Sequence, residues 1–352
     1  MSPDKRMTLV GCPLDSDENQ ESVEQKLAQA GAAAGRDDPY LQVCELLRDE
    51  LEAGRLHQAG CLEVPDWLRP VPPAAEAPRL TVDNFVRFID EDGCRLCAQA
   101  LGQMVREKVL PGVPVLVGVD HSLTGGVYRE LARELGPENL SLVVLDSHLD
   151  ALPLPILAGA VAYDMETNPQ SLYDPADPFL RQRPDSYNAS SFLHHLLEEG
   201  VLDPRHLCLV GISDYPPRHS FRIDDPRIRA YTGLYSGLKK RGAGMVTKAD
   251  LAKGPGKLKV LLNKLRTPYV YVSVDMDLGA LDAVQGVRFR NRRGLSRPQF
   301  QKVIRTLAQF LAQGPELAGL DLCEFNPRIP DPEVYALAAE VIRRLCLSGP
   351  RG

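Results

Sequence analysis

Short apolar segments alternate along this chain with longer segments of helical periodicity, and this alternation constrains the fold more than any other feature. The short segments are rich in Val, Ile and Leu, as is typical of strands buried on both faces of a sheet. Seven strands are predicted, over residues 8–12, 113–119, 142–146, 207–212, 244–246, 270–275 and 318–322. Helical segments include residues 85–109, 127–135, 190–199, 257–264, 297–311 and 332–345. The pattern predicts one α/β domain with a parallel sheet covered by helices on both faces.

The composition is that of a globular chain. It has 352 residues, of which 44% are hydrophobic and 25% are charged, so it can bury a sizeable core. No apolar run approaches the roughly 20 residues that a membrane-spanning helix needs. The net charge of -6 argues against general nucleic-acid binding, and no secretory signal follows the N-terminal basic residues. We therefore expect a soluble, cytoplasmic protein that binds neither nucleic acid nor membranes.

The cysteines fit that expectation. Eight are scattered along the chain, which is typical of reduced thiols and not of a disulfide framework. Cys94 and Cys97 form a CxxC, but it lies in a helical segment and no second pair completes a zinc site. A structural role is favoured for both, with metal or redox use as the alternative.

One stretch departs from the alternating pattern. Residues 13–64 are polar and helical, and residues 65–78 are Pro-rich and cannot form a helix interior. Because the first strand precedes them, residues 13–80 are predicted to be an atypical helical and Pro-rich insertion within a single domain that spans residues 1–352.

Acidic residues and histidines follow three of the predicted strands at their carboxyl ends, where ligands bind in open α/β sheets. The residues are Asp120 and His121 after the first of these strands, Asp146, His148 and Asp150 after the second, and Asp275 and Asp277 after the third. Side chains two positions apart on an extended chain point to the same side, so each set can converge. Any one set alone is better explained as a cap of a turn or helix. Three sets together favour a metal site.

A cluster of buried carboxylates repels itself unless cations neutralise it. Oxygen-rich ligation favours a hard ion such as Mn²⁺ over zinc. Two imidazoles and four carboxylates are enough for two metal ions that share bridging carboxylates.

Four segments in this order, GVDHS (118–122), DSHLD (146–150), SVDMD (273–277) and DLCEFNP (321–327), resemble the signature motifs of the ureohydrolase superfamily, which contains arginase, agmatinase and formimidoylglutamase. The resemblance implies a three-layer α/β/α sandwich around a mainly parallel sheet and a centre of two Mn²⁺ ions per chain. It implies the metal ligands His121, Asp146, His148, Asp150, Asp275 and Asp277. Asp146 and Asp275 would bridge, His121 and Asp150 would complete one ion, and His148 and Asp277 the other.

The resemblance also implies the chemistry. A metal-bridging hydroxide would attack the trigonal carbon of a guanidinium or amidine, with Asp150 among the catalytic residues. Glu324 matches the glutamate that holds the cationic end of the substrate by a charge-assisted hydrogen bond. A helix-capping or salt-bridging Glu is the alternative. Homo-oligomers are common in the family and are expected here.

The chain departs from the family's patterns around the substrate. Residues 151–162 are almost wholly apolar where arginase has groups that hold an α-amino acid, so arginine is disfavoured. Asn188 stands where many members have a proton-shuttle histidine, and it is predicted to contact substrate instead. His194, His195 and His219 are weaker candidates for the shuttle.

The segment that follows Asp277 is longer than usual, lacks a proline and is most similar to formimidoylglutamase. Arg288 and Arg290 are predicted to clamp a substrate carboxylate, with a solvated charge run as an equal alternative. If they do, the substrate is acidic.

The sequence thus predicts a manganese-dependent hydrolase of a carbon–nitrogen bond in a small guanidino or amidino compound, similar to agmatinase or formimidoylglutamase. The alternative is a metal-binding but catalytically silent member that acts as a sensor or assembly partner. A metal-dependent deacylase is a weaker third reading, because that group holds a single zinc with a different ligand pattern.

Overall fold

The computed structural model describes residues 6–32, 38–290 and 293–347. They form one eight-stranded sheet in which every strand pair is parallel, with the order β2-β1-β3-β8-β7-β4-β5-β6. The strands are Met7–Cys12 (β1), His57–Cys61 (β2), Val113–Gly118 (β3), Leu140–Leu145 (β4), Leu207–Ile212 (β5), Gly244–Thr247 (β6), Tyr269–Asp275 (β7) and Glu316–Cys323 (β8).

Helices cover both faces of this sheet. In the described ranges they are Gln20–Gln29 (α1), Pro39–Leu46 (α2), Arg48–Glu52 (α3), Val82–Asp90 (α4), Gly93–Lys108 (α5), Leu123–Leu135 (α6), Leu154–Thr167 (α7), Phe192–Glu198 (α8), Pro226–Lys240 (α9), Lys248–Ala252 (α10), Gly256–Leu262 (α11), Arg297–Leu311 (α12) and Pro332–Cys346 (α13). The predicted α/β class and three-layer architecture are confirmed. None of the helices in these ranges is long and apolar enough to cross a bilayer.

Two hydrophobic cores lie on opposite faces of the sheet because successive strand residues point to opposite sides. On β4, Leu142 and Val144 pack into one core, and Val143 and Leu145 pack into the other. The central strands are buried on both faces, which is why they appear in the sequence as continuous apolar runs.

Strand β2 was not predicted. Its sequence, HQAGC, has no apolar run, and as the edge strand beside β1 it is only partly buried. The predicted helix over residues 85–109 is two helices, α4 and α5. The break falls at Asp92, which has φ of 65° and cannot continue a right-handed helix.

The segment that was predicted as an insertion contributes to both the core and the sheet. Tyr40, Val43 and Leu47 are buried against the sheet, and β2 extends it. Lys26 on α1 is 1% exposed and pairs with Asp15. The segment therefore brings buried charges close to the carboxyl ends of the strands. All eight cysteines are free thiols.

Candidate metal centre and adjoining cavity

Four neighbouring strands, β3, β8, β7 and β4, occupy the middle of the sheet. Since all are parallel, their carboxyl ends meet at one edge. That edge carries His121 just beyond β3, Asp146 beyond β4, Asp275 at the end of β7 and Glu324 beyond β8. The fold thereby brings together side chains that are far apart in sequence.

The first group of ligand-type atoms surrounds the His121 imidazole. Its Nδ1 lies 2.8 Å from Asp150 Oδ2, 3.3 Å from Asp146 Oδ2 and 3.5 Å from Asp275 Oδ2. All four residues are buried, and their ligand atoms lie within 4.8 Å of one another. This is the arrangement of a site that could hold one metal ion.

The second group surrounds His148. Its Nδ1 lies 2.9 Å from Asp277 Oδ2 and 3.5 Å from Asp146 Oδ1, and Asp275 completes the group within the same 4.8 Å limit. Asp146 and Asp275 belong to both groups. The two groups therefore have the shared-carboxylate layout of a two-metal site, with the same division of residues that the resemblance implied.

The tautomer of His121 suits a metal ligand. Ser273 Oγ donates to Asp321 Oδ1 at 2.8 Å, so its oxygen accepts from His121 Nε2, also at 2.8 Å. With the proton on Nε2, the lone pair of Nδ1 faces the carboxylates. A buried carboxylate behind a histidine ligand is the usual support for such a ligand.

Several polar atoms of the two ligand groups are buried and lack a hydrogen-bond partner within the described ranges. Among the described residues, His121 Nδ1, Asp146 Oδ2 and Asp277 Oδ2 are buried without a hydrogen-bond partner. In the neutral imidazole, two lone-pair atoms as close as His121 Nδ1 and Asp150 Oδ2 repel each other unless a proton or a metal cation lies between them. Ligands at right angles around an ion with bonds of about 2.1 Å are about 3 Å apart, so these distances fit metal coordination.

The pKa shifts in the cluster reflect the same repulsion between buried carboxylates. Burial and neighbouring carboxylates raise the pKa of Asp150 and of Asp275 well above the usual range. Burial opposes the charged form of His121, but Asp146 and Asp150 raise its pKa well above the ordinary value. Cations would resolve this repulsion without protonation of the carboxylates.

Capping, the alternative role for each segment, accounts for one oxygen of each of the two shared carboxylates, Asp146 and Asp275. Asp146 Oδ1 accepts from the His148 amide at 2.6 Å, and Asp275 Oδ1 accepts from the Asp277 amide at 2.7 Å. In both residues Oδ2 points into the cluster instead. The turn therefore orients the second oxygen of each Asp.

Glu324 adjoins the cluster and is 1% exposed. Its Oε1 accepts from the His121 amide at 2.9 Å and from Arg288 Nη1 at 3.1 Å, whereas Oε2 is buried without a hydrogen-bond partner in the described part of the chain. Its backbone has φ of 68°, an unusual value for a residue other than glycine. Burial raises the pKa of Glu324 to about 8, although Arg288 opposes the rise.

Arg288 points inward, and its side chain is 3% exposed. Besides Glu324, its Nη1 donates to Asp120 Oδ2 at 3.2 Å, and its Nε lies 3.5 Å from Asp15 Oδ1. Asp15 in turn pairs with Lys26 and Arg328. The buried charge cluster, which comprises Asp15, Lys26, Asp120, Arg288, Glu324 and Arg328, holds three carboxylates and three cations.

A cavity of about 270 Å³ opens beside the ligand atoms. The ligands His148, Asp150 and Asp275 line it, together with Glu324 and Arg288. The rest of its lining includes acidic, aromatic and aliphatic residues: Asp17, Glu18, Ile89, Leu152, Leu157, Val161, Tyr173, Asp177, Phe179, Asp214, Tyr231 and Phe289. The cavity is large enough for a small linear molecule.

The other predicted substrate residues differ in their positions. Asn188 lines the cavity, but its Oδ1 accepts from the Ser190 amide and from the hydroxyls of Ser190 and Ser191, so the side chain mainly holds a turn before α8. Arg290 is exposed and lies outside the described lining of the cavity.

The three alternative histidines also lie outside that lining. His194 Nε2 is 3.1 Å from Asp185 Oδ2, and His195 Nδ1 is 3.1 Å from Arg95 Nη2. His219 is part of the loop that follows β5.

Sequence reasoning missed Asp15, Lys26 and Arg328. A signal for Asp15 was available, because Asp15 follows the carboxyl end of β1 just as the metal-ligand candidates follow their own strands. Lys26 and Arg328 carry no such local signal.

Solved structures with the same fold include several hydrolases. The proclavaminate amidino hydrolase of Streptomyces clavuligerus is 18% identical, with a TM-score of 0.57, and the alignment covers 97% of this chain and 91% of that one. The arginase of Bacillus caldovelox is 17% identical, with a TM-score of 0.60, and the alignment covers 97% of this chain and 98% of that one. The formimidoylglutamase of Bacillus subtilis is 17% identical, with a TM-score of 0.58, and the alignment covers 99% of this chain and 90% of that one.

Sequence comparison is more specific. An agmatinase from Chromobacterium violaceum is 26% identical over 166 residues, which cover 47% of this chain and 44% of that protein, less than half of its length. Residues 5–348 match the sequence profile of the arginase family. The chain therefore belongs to the arginase family.

Proposed function

We propose that the protein is a hydrolase that binds two Mn²⁺ ions per chain and cleaves a carbon–nitrogen bond in a small linear amidino or guanidino compound. The observation that carries this proposal is the pair of ligand groups that share Asp146 and Asp275 around buried, unpaired nitrogen and oxygen atoms. Membership of the arginase family supports it.

The residues fit a two-metal centre. His121, Asp146, Asp150 and Asp275 would hold one ion, and Asp146, His148, Asp275 and Asp277 the other. Four carboxylates and two imidazoles favour Mn²⁺ over zinc. When bound, two such cations lower the pKa of a shared water and orient it toward a trigonal carbon.

Glu324 and Asp150 lie where the substrate would react. Glu324 Oε2 has no hydrogen-bond partner among the described residues and belongs to a carboxylate that lines the cavity. Metal cations beside it would favour the ionised form of Glu324, so Oε2 is the atom that would accept an N–H of the substrate by a charge-assisted bond. Asp150 lines the same cavity as a metal-ligand candidate, so the reacting carbon would lie between the two carboxylates. Asn188, which also lines the cavity, would contact the substrate as well.

The cavity wall indicates the rest of the substrate. Asp17 and Asp177 make it acidic, whereas Glu18 is paired with Arg183. Leu157, Val161 and Phe179 make it apolar. Arg288, the cation that adjoins them, is already paired with protein carboxylates. We therefore propose an aliphatic substrate whose tail ends in an amine, in place of the acidic tail that an arginine clamp would select.

Reconstitution with Mn²⁺ followed by metal analysis and product assays tests this function. We expect two Mn²⁺ per chain and release of urea, ammonia or formamide from at least one amidino or guanidino amine. Asp146→Ala should lose both metal and turnover. Asp224→Ala is the control, because Asp224 is an exposed carboxylate that pairs with Arg229, and it should lose neither. Retention of fewer than one Mn²⁺ per chain, together with no effect of Asp146→Ala, would refute the proposal.

A metal-binding but catalytically silent protein is the second candidate. It is favoured by one observation, the use of the Asn188 side chain in a turn at the position expected for a proton shuttle. Two bound Mn²⁺ without turnover of arginine, agmatine, guanidinobutyrate, guanidinopropionate or formimidoylglutamate would support it. In either case we propose a cytoplasmic homo-oligomer, as in the family that the sequence resembles.

A further inference from the structure

Arg288 donates a hydrogen bond to one of the two oxygens of the Glu324 carboxylate. Glu324 Oε1 accepts two hydrogen bonds, one from the His121 amide and one from Arg288, and only Oε2 remains. We propose that Arg288 is a specificity-determining residue that restricts the site to formamidines and selects against guanidines. This inference rests on the proposed hydrolysis and names the substrate class.

The number of nitrogens left on the reacting carbon explains the restriction. A formamidinium, R–NH–CH=NH₂⁺, reacts with water to give R–NH₃⁺ and formamide, so one nitrogen stays on the carbon. A guanidinium, R–NH–C(NH₂)=NH₂⁺, gives R–NH₃⁺ and urea, so two nitrogens stay. In both reactions water supplies the new carbonyl oxygen, and its two protons go to the departing amine. No oxidant or further reactant is needed.

Those remaining nitrogens are the groups that a carboxylate can hold while the amine departs. A guanidinium pairs best with both oxygens of a carboxylate at once, through two parallel hydrogen bonds. Glu324 offers one oxygen, which matches the single nitrogen that stays on the carbon of a formamidine. A guanidine would bring a second nitrogen toward Oε1, which Arg288 and His121 already occupy.

Net charge does not separate the two substrates, because a formamidinium and a guanidinium each carry one positive charge. The buried charge cluster has three carboxylates, Asp15, Asp120 and Glu324, against the three cations Lys26, Arg288 and Arg328, so no net negative charge is left for a ligand to neutralise. The guanidinium of Arg288 repels either cation, so the discrimination comes from the number of substrate N–H groups that need an acceptor on Glu324.

Arg288 is held firmly in this position. Its amide donates to the Glu324 carbonyl at 3.0 Å, and the preceding Val287 forms an antiparallel bridge with Phe325. Its side chain makes contacts with three carboxylates and is 3% exposed. A substrate guanidinium would have to break these contacts to replace it.

The test compares two substrates with one tail, 4-aminobutylformamidine and 4-aminobutylguanidine, and follows 1,4-diaminobutane, the product common to both. For the wild type we expect kcat/KM to favour the formamidine at least about tenfold, the worth of one charged hydrogen bond. Arg288→Met should shift the ratio toward the guanidine by at least about tenfold. Arg305→Met, an exposed arginine on α12, is the matched control and should leave the ratio unchanged.

Arg288→Met leaves the buried cluster with an excess carboxylate, so a second variant guards against misfolding. Arg288→Met combined with Asp120→Asn removes one charge of each sign and should show the same shift in ratio. A ratio within twofold of wild type in the folded variant, or a wild type that prefers the guanidine, would overturn the inference.

Binding to metal-free protein gives a readout that does not need turnover. Calorimetric titration should show that Arg288→Met strengthens the binding of 4-aminobutylguanidine at least about tenfold more than that of the formamidine. Equal changes for both ligands would overturn the inference. If the wild type cleaves neither compound, the proposed hydrolysis fails for this tail, while the binding comparison still decides the role of Arg288.

Discussion

His121 and Glu324 are joined by a hydrogen bond between the His121 amide and Glu324 Oε1, with the two atoms 2.9 Å apart. The residue that offers Nδ1 to the candidate metal centre thus also holds a carboxylate that lines the cavity. Because the bond uses the backbone of His121, the Nδ1 atom of its imidazole is left for a metal. Under the proposed function, substrate recognition and metal binding would therefore be coupled at His121.

The support behind His121 gives the first prediction. Ser273→Ala removes the acceptor of the Nε2 proton and the link to Asp321. Loss of such a partner typically weakens metal affinity about 10- to 100-fold. Competition titration of Mn²⁺ against a chelating dye measures it, and Ser236→Ala on α9 is the control. Unchanged affinity in Ser273→Ala would show that His121 needs no such support.

The second prediction concerns the buried charge cluster. Arg328 pairs with Asp15, and it also donates to the Pro70 carbonyl at 3.1 Å and to Ser22 Oγ at 3.2 Å. Arg328→Met leaves Asp15 with less compensation, so we expect a loss of about 3 kcal/mol in the free energy of unfolding. Urea denaturation measures this loss. Arg344→Met, which breaks a partly exposed contact of 3.8 Å with Glu340, should change it by less than about 0.5 kcal/mol. Similar effects of the two substitutions would contradict the account.

Asp214 gives a prediction for pH. Its Oδ1 is buried without a partner among the described residues, and burial raises its pKa to about 6. The folded metal-free protein therefore binds more protons at this residue than the unfolded chain does between about pH 4 and 6, so stability from this group falls as the pH rises through that range. Asp214→Asn removes the cost of ionisation.

Relative to wild type, Asp214→Asn should therefore gain roughly 2 kcal/mol between pH 4.5 and pH 7.5. Denaturation of the metal-free proteins at both pH values measures this gain. Asp224→Asn, in which an exposed carboxylate is replaced, is the control. A difference between Asp214→Asn and wild type that does not change with pH would contradict the prediction.

The fourth prediction concerns the close packing between α5 and α6. A Cβ at Gly126 would lie 1.8 Å from the Ala98 carbonyl oxygen, and backbone cannot yield as a flexible side chain does. Gly126→Ala should therefore destabilise the protein by more than about 2 kcal/mol. Gly233→Ala on α9 meets nothing within 4 Å and should instead stabilise it by about 0.5–1 kcal/mol. Thermal denaturation compares them, and equal melting temperatures would contradict the packing.

The parts of this protein that could be predicted from its sequence are those with a local signal. The buried strands appear as apolar runs, and the ligand candidates stand immediately after them, as at Asp146 and Asp275. The capping box of Ser296 and Gln299 likewise marks the start of α12, which was predicted at the correct residue. Each of these features depends on neighbours within a few positions.

The parts that could not be predicted depend on distant pairs. Asp15 and Arg328 are 313 positions apart, so nothing near either residue indicates the ion pair. The sequence shows a run of arginines after Val287, but nothing in that run indicates that Arg288 turns inward. The bridge between Val287 and Phe325 places Arg288 beside Glu324, where its side chain meets protein carboxylates instead of solvent.

The central claim is that Asp146 and Asp275 are shared by two adjacent metal ions, and electron paramagnetic resonance of the Mn²⁺-loaded protein tests it most directly. The account predicts two Mn²⁺ per chain with a spin-coupled spectrum, and loss of the coupling in Asp146→Ala. A spectrum of isolated, uncoupled Mn²⁺ in the wild type at saturating Mn²⁺ would contradict it.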